Sequence, residues 1–189
     1  MKFKEGKILE TFCVEKNGKK IEVTIRYPKK SDLRQIWKFY NKVIKETEFL
    51  PRITPVSLSD ERKWLAGVLD GMRKNDKIQI FAEYDGRIIG SCSIERRPTQ
   101  RHAHIAGFGI CILQEFTGMG LGKRLMREIE KEALKSRFKI LELSVYGRNK
   151  IAQSLYRKMG FKAVGKVPKA VKIRHGFDDD IKMFKVLKK

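Results

Sequence analysis

The stretch Ile110-Cys111-Ile112-Leu113-Gln114-Glu115-Phe116-Thr117-Gly118-Met119-Gly120-Leu121-Gly122 decides the reading of this chain. An apolar strand runs into a loop with glycine at every second position, and Lys123 then opens a long amphipathic helix. Glycine lets a backbone approach a ligand closely and turn its N–H groups toward it. The free N–H groups and the dipole at a helix N-terminus favour an anion. The arrangement suits a pyrophosphate; a glycine-rich turn that binds nothing is the alternative.

Two phosphate-binding patterns fail on this stretch. A P-loop would need glycine at Thr117 and Ser or Thr at Arg124. The dinucleotide fingerprint begun at Gly118 would place its last glycine at Lys123. What survives is x-x-x-Gly-x-Gly across Thr117 to Gly122, behind an apolar strand. A second element follows the strand expected over 139–146: Asn149, Ala152, Leu155, Tyr156, Gly160 and Phe161, read as Asn-x-x-Ala-x-x-Leu-Tyr-x-x-x-Gly-Phe. Asn149 is a good N-cap. Ala152, Leu155, Tyr156 and Met159 make one helical stripe, and Gly160 suits a left-handed stop with Phe161 folding back.

Together and in this order, the two elements resemble the acyl-CoA loop and the second CoA-binding element of the GNAT superfamily of N-acetyltransferases. That family usually writes Gln or Arg where Thr117 stands, so a long side chain is lost while the backbone donors remain. The resemblance covers roughly residues 22–187 and is specific between about 104 and 161. It implies an α/β (α+β) fold, a mixed, mostly antiparallel sheet of about seven strands with a splayed parallel pair and about four flanking helices.

Local patterns outline the rest of a single domain over 1–189. Strands are expected at 7–14 and 21–27 across Asn17-Gly18, a strong hairpin signal, with residues 1–20 an N-terminal hairpin addition. Ser31 is expected to cap a helix whose apolar face is Leu33, Ile36, Trp37, Tyr40 and Ile44. Ser59 is expected to cap a second, with Leu65, Val68, Leu69 and Met72 inward. A hairpin across Asp85-Gly86 joins 78–84 to 87–94. A strand from His104 to Ile112 follows the basic loop 96–101. The next helix turns Leu121, Leu125, Ile129 and Ala133 inward and pairs Arg124 with Glu128 outward. Strands near 161–170 and 180–187 close the chain.

The 189 residues suffice to bury a substantial core, and no signal peptide or membrane-length apolar run stands out. Three cysteines, Cys13, Cys92 and Cys111, fit neither a disulfide framework nor a zinc spacing. Buried thiols in a reducing cytoplasm are the expectation, with no membrane partner and no metal. The run His175-Gly176-Phe177-Asp178-Asp179-Asp180 reads as a polar hairpin turn, because consecutive strand aspartates point alternately and cannot converge on one ion. The net charge of +21 exceeds what one CoA would account for. It attracts polyanions such as RNA or a ribosome weakly and without a specific site, or reflects a Lys-rich thermophile composition.

The resemblance further implies acetyl-CoA as cosubstrate, with its pantetheine arm between two splayed strands beside Ile110, Cys111 and Ile112. Thr117, Gly118, Met119, Gly120, Leu121, Gly122 and Lys123 would hold the diphosphate, with Asn149, Ala152 and Tyr156 alongside. A backbone N–H near Ile112 would stabilise the oxyanion, and Tyr156 would protonate the leaving thiolate. Tyrosine near pKa 10 and a thiol near 8.5 leave that transfer uphill by about 1.5 units, so Tyr156 assists rather than enables; packing alone is its other reading. The position where many relatives place a catalytic Glu is Ala106. His104, Glu95 and Glu142 are the remaining candidates for a base, against structural roles for each.

A lysine-like amine near pKa 10.4 is about 4.6 kcal/mol short of its nucleophilic form at pH 7, an α-amine only about 1 kcal/mol. Without an obvious carboxylate base the chain matches an α-amine better: an amino-acid-like small molecule or a protein N-terminus, attacking the thioester directly in a ternary complex. The Gly-aromatic-x-Asp-x-x-x-Met pattern from Gly176 to Met183 resembles family members acting on such amines. Acetylation of lysine or polyamine is the alternative, with Glu46 and Glu48 able to build an acidic pocket. Another is a basic RNA- or ribosome-associated module with a regulatory or inactive acetyl-CoA site. A monomer and a homodimer are both compatible with the sequence.

Overall fold

A computed structural model describes residues 3–16 and 18–188. One eight-stranded sheet organises them, in the order β1-β2-β3-β4-β5-β6-β8-β7. The strands are β1 (Ile8–Lys16), β2 (Lys19–Arg26), β3 (Lys77–Tyr84), β4 (Arg87–Arg96), β5 (Ile105–Ile112), β6 (Ile140–Tyr146), β7 (Lys162–Ile173) and β8 (Gly176–Val186). The helices are α1 (Leu33–Glu46), α2 (Leu58–Lys74), α3 (Leu121–Lys135) and α4 (Lys150–Lys158). Every strand pair is antiparallel except β5 with β6. This is the mixed, largely antiparallel architecture expected, and β1 supplies the strand beyond seven.

Alternation along the central strands sorts side chains to two faces. A Cβ at Gly90 would meet Leu125 of α3 at 3.1 Å, so Gly90, Cys92 and Ile94 turn toward α3. There Leu125, Ile129 and Ala133 are fully buried in the core, as their periodicity required. On the other face α1 packs against β4 and α2 against β3. The Asp85-Gly86 turn takes positive φ at both residues, 48° and 65°, the primed turn that suits the twist of a hairpin. The β1–β2 turn includes Asn17, which lies outside the described residues.

Several local expectations give way to tertiary partners. Helix α1 begins at Leu33 rather than behind a Ser31 cap, because the preceding Asp32 is claimed by Arg26, at 2.8 and 2.9 Å, and by the Lys29 N–H. Its buried residues are Ile36, Phe39, Val43 and Ile44, so Trp37 and Tyr40 sit at the margin. Ser57, not Ser59, caps α2 by accepting from the Asp60 N–H. Arg124 does not pair with Glu128. It reaches Glu10 on β1 at 2.5 Å and lies over the Phe12 ring, while Glu128 is buried and bonds Lys131.

Strand β8 starts at Gly176, earlier than expected, because the aspartate run pairs with β7: Asp178 opposes Val171 and Asp180 opposes Val167. The turn itself is Arg174-His175. Asp178 accepts the Arg148 N–H, Asp179 binds Lys166, and Asp180 binds Lys182. Their side chains thus serve three separate contacts. Strand β1 has a further task. Its Lys16 bonds Glu115 at 3.2 Å and lies over the Phe116 ring, so the N-terminal strand braces the turn that leads into the glycine loop.

Candidate active site

Strands β5 and β6 pair only at Ile105–Ile140, Ala106–Leu141 and Gly107–Glu142. Both continue for several residues beyond, yet no ladder joins them there. A wedge-shaped gap opens in the middle of the sheet. On its far side β5 stays in register with β4 as far as Ile112 opposite Gly90. The Ile105 carbonyl accepts from Arg97 and the Leu113 N–H donates to Ile89. Alternation in an antiparallel ladder therefore commits the main chain of Gly107, Gly109 and Cys111 to β4. The main-chain groups of Phe108, Ile110 and Ile112 face the gap. Cys111 thus offers the gap no main-chain donor, and Phe108, which the sequence reading passed over, does.

A cavity of about 970 Å³ fills the gap and passes through the sheet. Phe108, Ile110, Ile112, Ala152, Leu155 and Tyr156 line it from the α3–α4 face. Ser91, Ser93, Cys111 and Ser144 line it from the α1–α2 face. Thr117, Gly118 and Asn149 stand at its end.

The glycine loop fits an anion. Gly118 and Gly120 have φ of 80° and 82°, which side-chain-bearing residues reach only with strain. A Cβ at either would meet nothing, so the requirement is conformational and the space beside them is open. At Gly122 the reason differs: a Cβ there would press Leu155 of α4 at 3.0 Å. Gly120 caps α3, and no acidic residue occupies the first turn. The N–H groups of Leu121, Gly122 and Lys123 therefore have no intrahelical partner. The Thr117 hydroxyl donates to the Gln114 carbonyl at 2.8 Å and closes the preceding turn. A hollow of about 410 Å³ on the outer side of the loop is lined by Met119, Lys123, Arg124 and Arg127 together with Cys13 of β1.

Asn149 caps α4 by accepting from the Ala152 N–H at 3.1 Å. The helix ends on Gly160 at φ 87°, with the Phe161 N–H bonding back to the Tyr156 carbonyl. Tyr156 packs edge-on against Phe108 and tilted against Phe161. Burial pushes its hydroxyl well above the usual tyrosine pKa, with Cys92 and Cys111 adding to the shift. Tyr156 is therefore held in its proton-bearing form. Burial likewise pushes the Cys111 thiol up to about 12, although Ser91 pulls it back, leaving it a poor nucleophile.

The candidate bases lie elsewhere. His104 is exposed ahead of β5 and contributes its carbonyl to the Lys139 and Ile140 N–H groups. Glu95 is exposed and pairs with Lys77 at 3.0 Å. Glu142 pairs with Arg97 at 2.5 Å. None of the three lines the cavity. They sit at the closed end of the β5–β6 pair, and the space widens toward the other end. Glu46 lines the cavity and Glu48 does not.

Glu61 went unread in the sequence and lies on the cavity wall at 4 % exposure. Its signal was available. Residues 61, 65, 68, 69 and 72 form the buried stripe of α2, and Glu61 is the carboxylate on it.

Residues 33–161 match the family described as acetyltransferase (GNAT). Over 88 residues the chain is 35 % identical to an L-amino acid N-acetyltransferase of Escherichia coli, an alignment covering 46 % of this chain. It spans about half of that relative, 54 %. Over 149 residues it is 22 % identical to an L-methionine sulfoximine/L-methionine sulfone acetyltransferase of Pseudomonas paraeruginosa, covering 78 % of this chain and 85 % of the relative. Among solved structures, a putative acetyltransferase from Salmonella typhimurium with its cofactor acetyl-CoA superposes with a TM-score of 0.78 at 18 % identity. That superposition covers 88 % of this chain and 95 % of the other. Fold and site define an acyltransferase, and the chain belongs to the acetyltransferase (GNAT) family.

Proposed function

We propose that this protein transfers the acetyl group of acetyl-CoA to the α-amine of a small, amino-acid-like acceptor by direct attack in a ternary complex. The observation that carries the reading is the parallel pair left open beyond Gly107 and Glu142, with the glycine loop at one end of the resulting cavity. A linear, amide-bearing arm can complete the ladder that Phe108, Ile110 and Ile112 leave unfilled. The free N–H groups at the start of α3 would hold its diphosphate. An Ile112 or Ile110 N–H is available to the thioester oxygen, a contribution of roughly 3 kcal/mol where the donor is well placed.

Tyr156 is the proton donor for the departing thiolate. Its raised pKa keeps it protonated, and the same shift makes the transfer more uphill than in water, so its role is assistance. The two curated relatives are named for amino-acid substrates, which supports the acceptor class.

A polycationic acceptor has one observation in its favour, the carboxylates Glu46, Asp60 and Glu61 on the cavity wall. Glu46 and Asp60 are already bonded to Gln114 and Ser57, however. Incubation with acetyl-CoA and a panel of free amino acids, peptides, lysine derivatives and spermidine, read by mass spectrometry, tests the assignment. Acetylated amino acids are expected. Transfer confined to spermidine or lysine side chains overturns the acceptor class, and tight CoA binding with no transfer to any amine overturns the enzyme reading.

A further inference from the structure

The chain as a whole is strongly cationic, yet the charged residues lining its large cavity are three carboxylates, Glu46, Asp60 and Glu61, and one guanidinium, Arg52. Two of the acids are committed. Glu46 accepts from the Gln114 N–H at 2.9 Å and faces Lys42 at 3.6 Å. Asp60 accepts from the Ser57 hydroxyl and N-terminal α2 depends on that cap. Glu61 has no such partner: among the described residues its carboxylate makes neither an ion pair nor a side-chain hydrogen bond, although it is almost fully buried. A carboxylate withdrawn from bulk water without a partner is disfavoured, and on the wall of this cavity that carboxylate is open to a ligand.

Arg52 lies on the segment between α1 and α2, its Nε donating to the Thr54 carbonyl at 3.1 Å, and lines the same cavity. The groups around Glu61 are Asp60 on its own helix, Arg52 on that segment, and Tyr40 of α1, which itself feels Cys111 of β5. Glu61 of α2 lines the cavity with Cys111 from the face of the sheet that α1 and α2 cover. Burial raises its pKa and Arg52 offsets part of the rise. Trp64, Phe49 and Leu50 complete an apolar wall.

We propose that Glu61 and Arg52 grip the two ends of a zwitterion: Glu61 takes the ammonium and its proton, Arg52 takes the carboxylate, and the acceptor is a free α-amino acid with an apolar side chain. The inference rests on the transferase reading above. Proton transfer from the ammonium to the Glu61 carboxylate leaves a neutral amine and a carboxylic acid. The amine lone pair attacks the thioester carbonyl, the C–N bond forms and the C–S bond breaks. The second nitrogen proton ends on the CoA sulfur with Tyr156 as relay, and Glu61 returns its proton to solvent. A peptide N-terminus, lacking an adjacent carboxylate, would leave Arg52 unused.

The test compares L-phenylalanine with L-phenylalaninamide as acceptors for the wild type, Glu61→Gln and Arg52→Gln, with acetyl-CoA titrated calorimetrically into all three. Glu61→Gln is expected to lower kcat/KM by about 100-fold at pH 7 and by much less at pH 9, where the amine loses its proton unaided. Arg52→Gln is expected to raise KM for phenylalanine by about tenfold and to abolish the preference over the amide. Unchanged acetyl-CoA affinity in each variant shows that the fold and the coenzyme site persist. Glu61→Gln within threefold of wild type, or a deficit that does not shrink with pH, overturns the base. Equal wild-type rates for acid and amide overturn the zwitterion while sparing the transferase reading. A wild type that binds acetyl-CoA and acetylates neither compound overturns this acceptor, and the transferase reading falls with it only when no amine of the wider panel is acetylated.

Discussion

Asp32 and Glu61 are two buried carboxylates, both at the threshold of a helix on the same side of the sheet, and their surroundings are opposite. Asp32 is completely inaccessible and fully spent, taking two bonds from Arg26 and one from the Lys29 N–H, with Glu83 closing the other side of the guanidinium. Glu61 is nearly as buried and unspent, facing a cavity beside the opened strands. A sealed, satisfied acid holds chain segments together, here β2, β3 and the entry to α1. An unsatisfied one facing open space is available to a ligand. The same contrast divides the whole sheet: strands β1 to β4 are paired and covered, whereas β5 and β6 separate beyond Gly107 and Glu142, where the proposed chemistry lies.

Breaking the first corner should have the largest effect. Asp32→Asn leaves Arg26 short of its main partner and is expected to cost about 3 kcal/mol in chemical denaturation, near the low end for a buried pair because Glu83 remains. Activity per folded molecule should persist; an Asp32→Asn protein as stable as wild type would mean that Asp32 does not hold these segments together. Next, Tyr156→Phe keeps the aromatic packing and removes the relayed proton. It is expected to lower kcat by about 100-fold, roughly 2.7 kcal/mol, without a matching loss of stability. A kcat within threefold of wild type would return Tyr156 to packing alone.

Gly120→Val forces a branched side chain to φ 82°, a strain of about 1–2 kcal/mol. The loop relaxes away from its geometry, and acetyl-CoA affinity should fall by about tenfold in calorimetry while the core stays intact. The smallest effect sharpens the comparison itself. Burial raises the Glu61 pKa above its ordinary 4.5, so the folded protein binds that proton more tightly than the unfolded chain. Stability from this group is present at low pH and drains away as pH rises above about 4.5 toward the folded value. Glu61→Gln removes that slope. The variant should match wild type near pH 4 and exceed it by about 1 kcal/mol at pH 7, the opposite sign to Asp32→Asn. A Glu61→Gln protein less stable than wild type at pH 7 would make Glu61 a structural acid like Asp32.

Much of this molecule was readable residue by residue. The inward stripe of α3, the Asn149 cap, the Gly160 stop and the primed turn at Asp85-Gly86 depend on contacts a few residues apart, where sequence spacing equals spatial spacing. Ser31 and the Arg124–Glu128 pair gave way to tertiary partners: Asp32 is claimed by Arg26 of β2, and Arg124 by Glu10 more than a hundred residues away. Ser59 gave way locally, to Ser57 two residues earlier, whose hydroxyl takes the Asp60 N–H. Glu61 was legible as a carboxylate on an apolar stripe, although an acid near a helix start is ordinarily explained by the dipole.

The order of glycines, the Asn149–Phe161 element and the alternation of apolar residues determined by themselves the fold family and the conformation of the glycine loop, because backbone conformation and helix capping are local properties. Tertiary structure alone decided at which residue the splayed pair parts, which acids line the opening and which are consumed elsewhere. Those outcomes turn on which of many charged side chains reach one another across strands, and a chain with 43 lysines and arginines and 22 acids offers far more pairings than its linear order can rank.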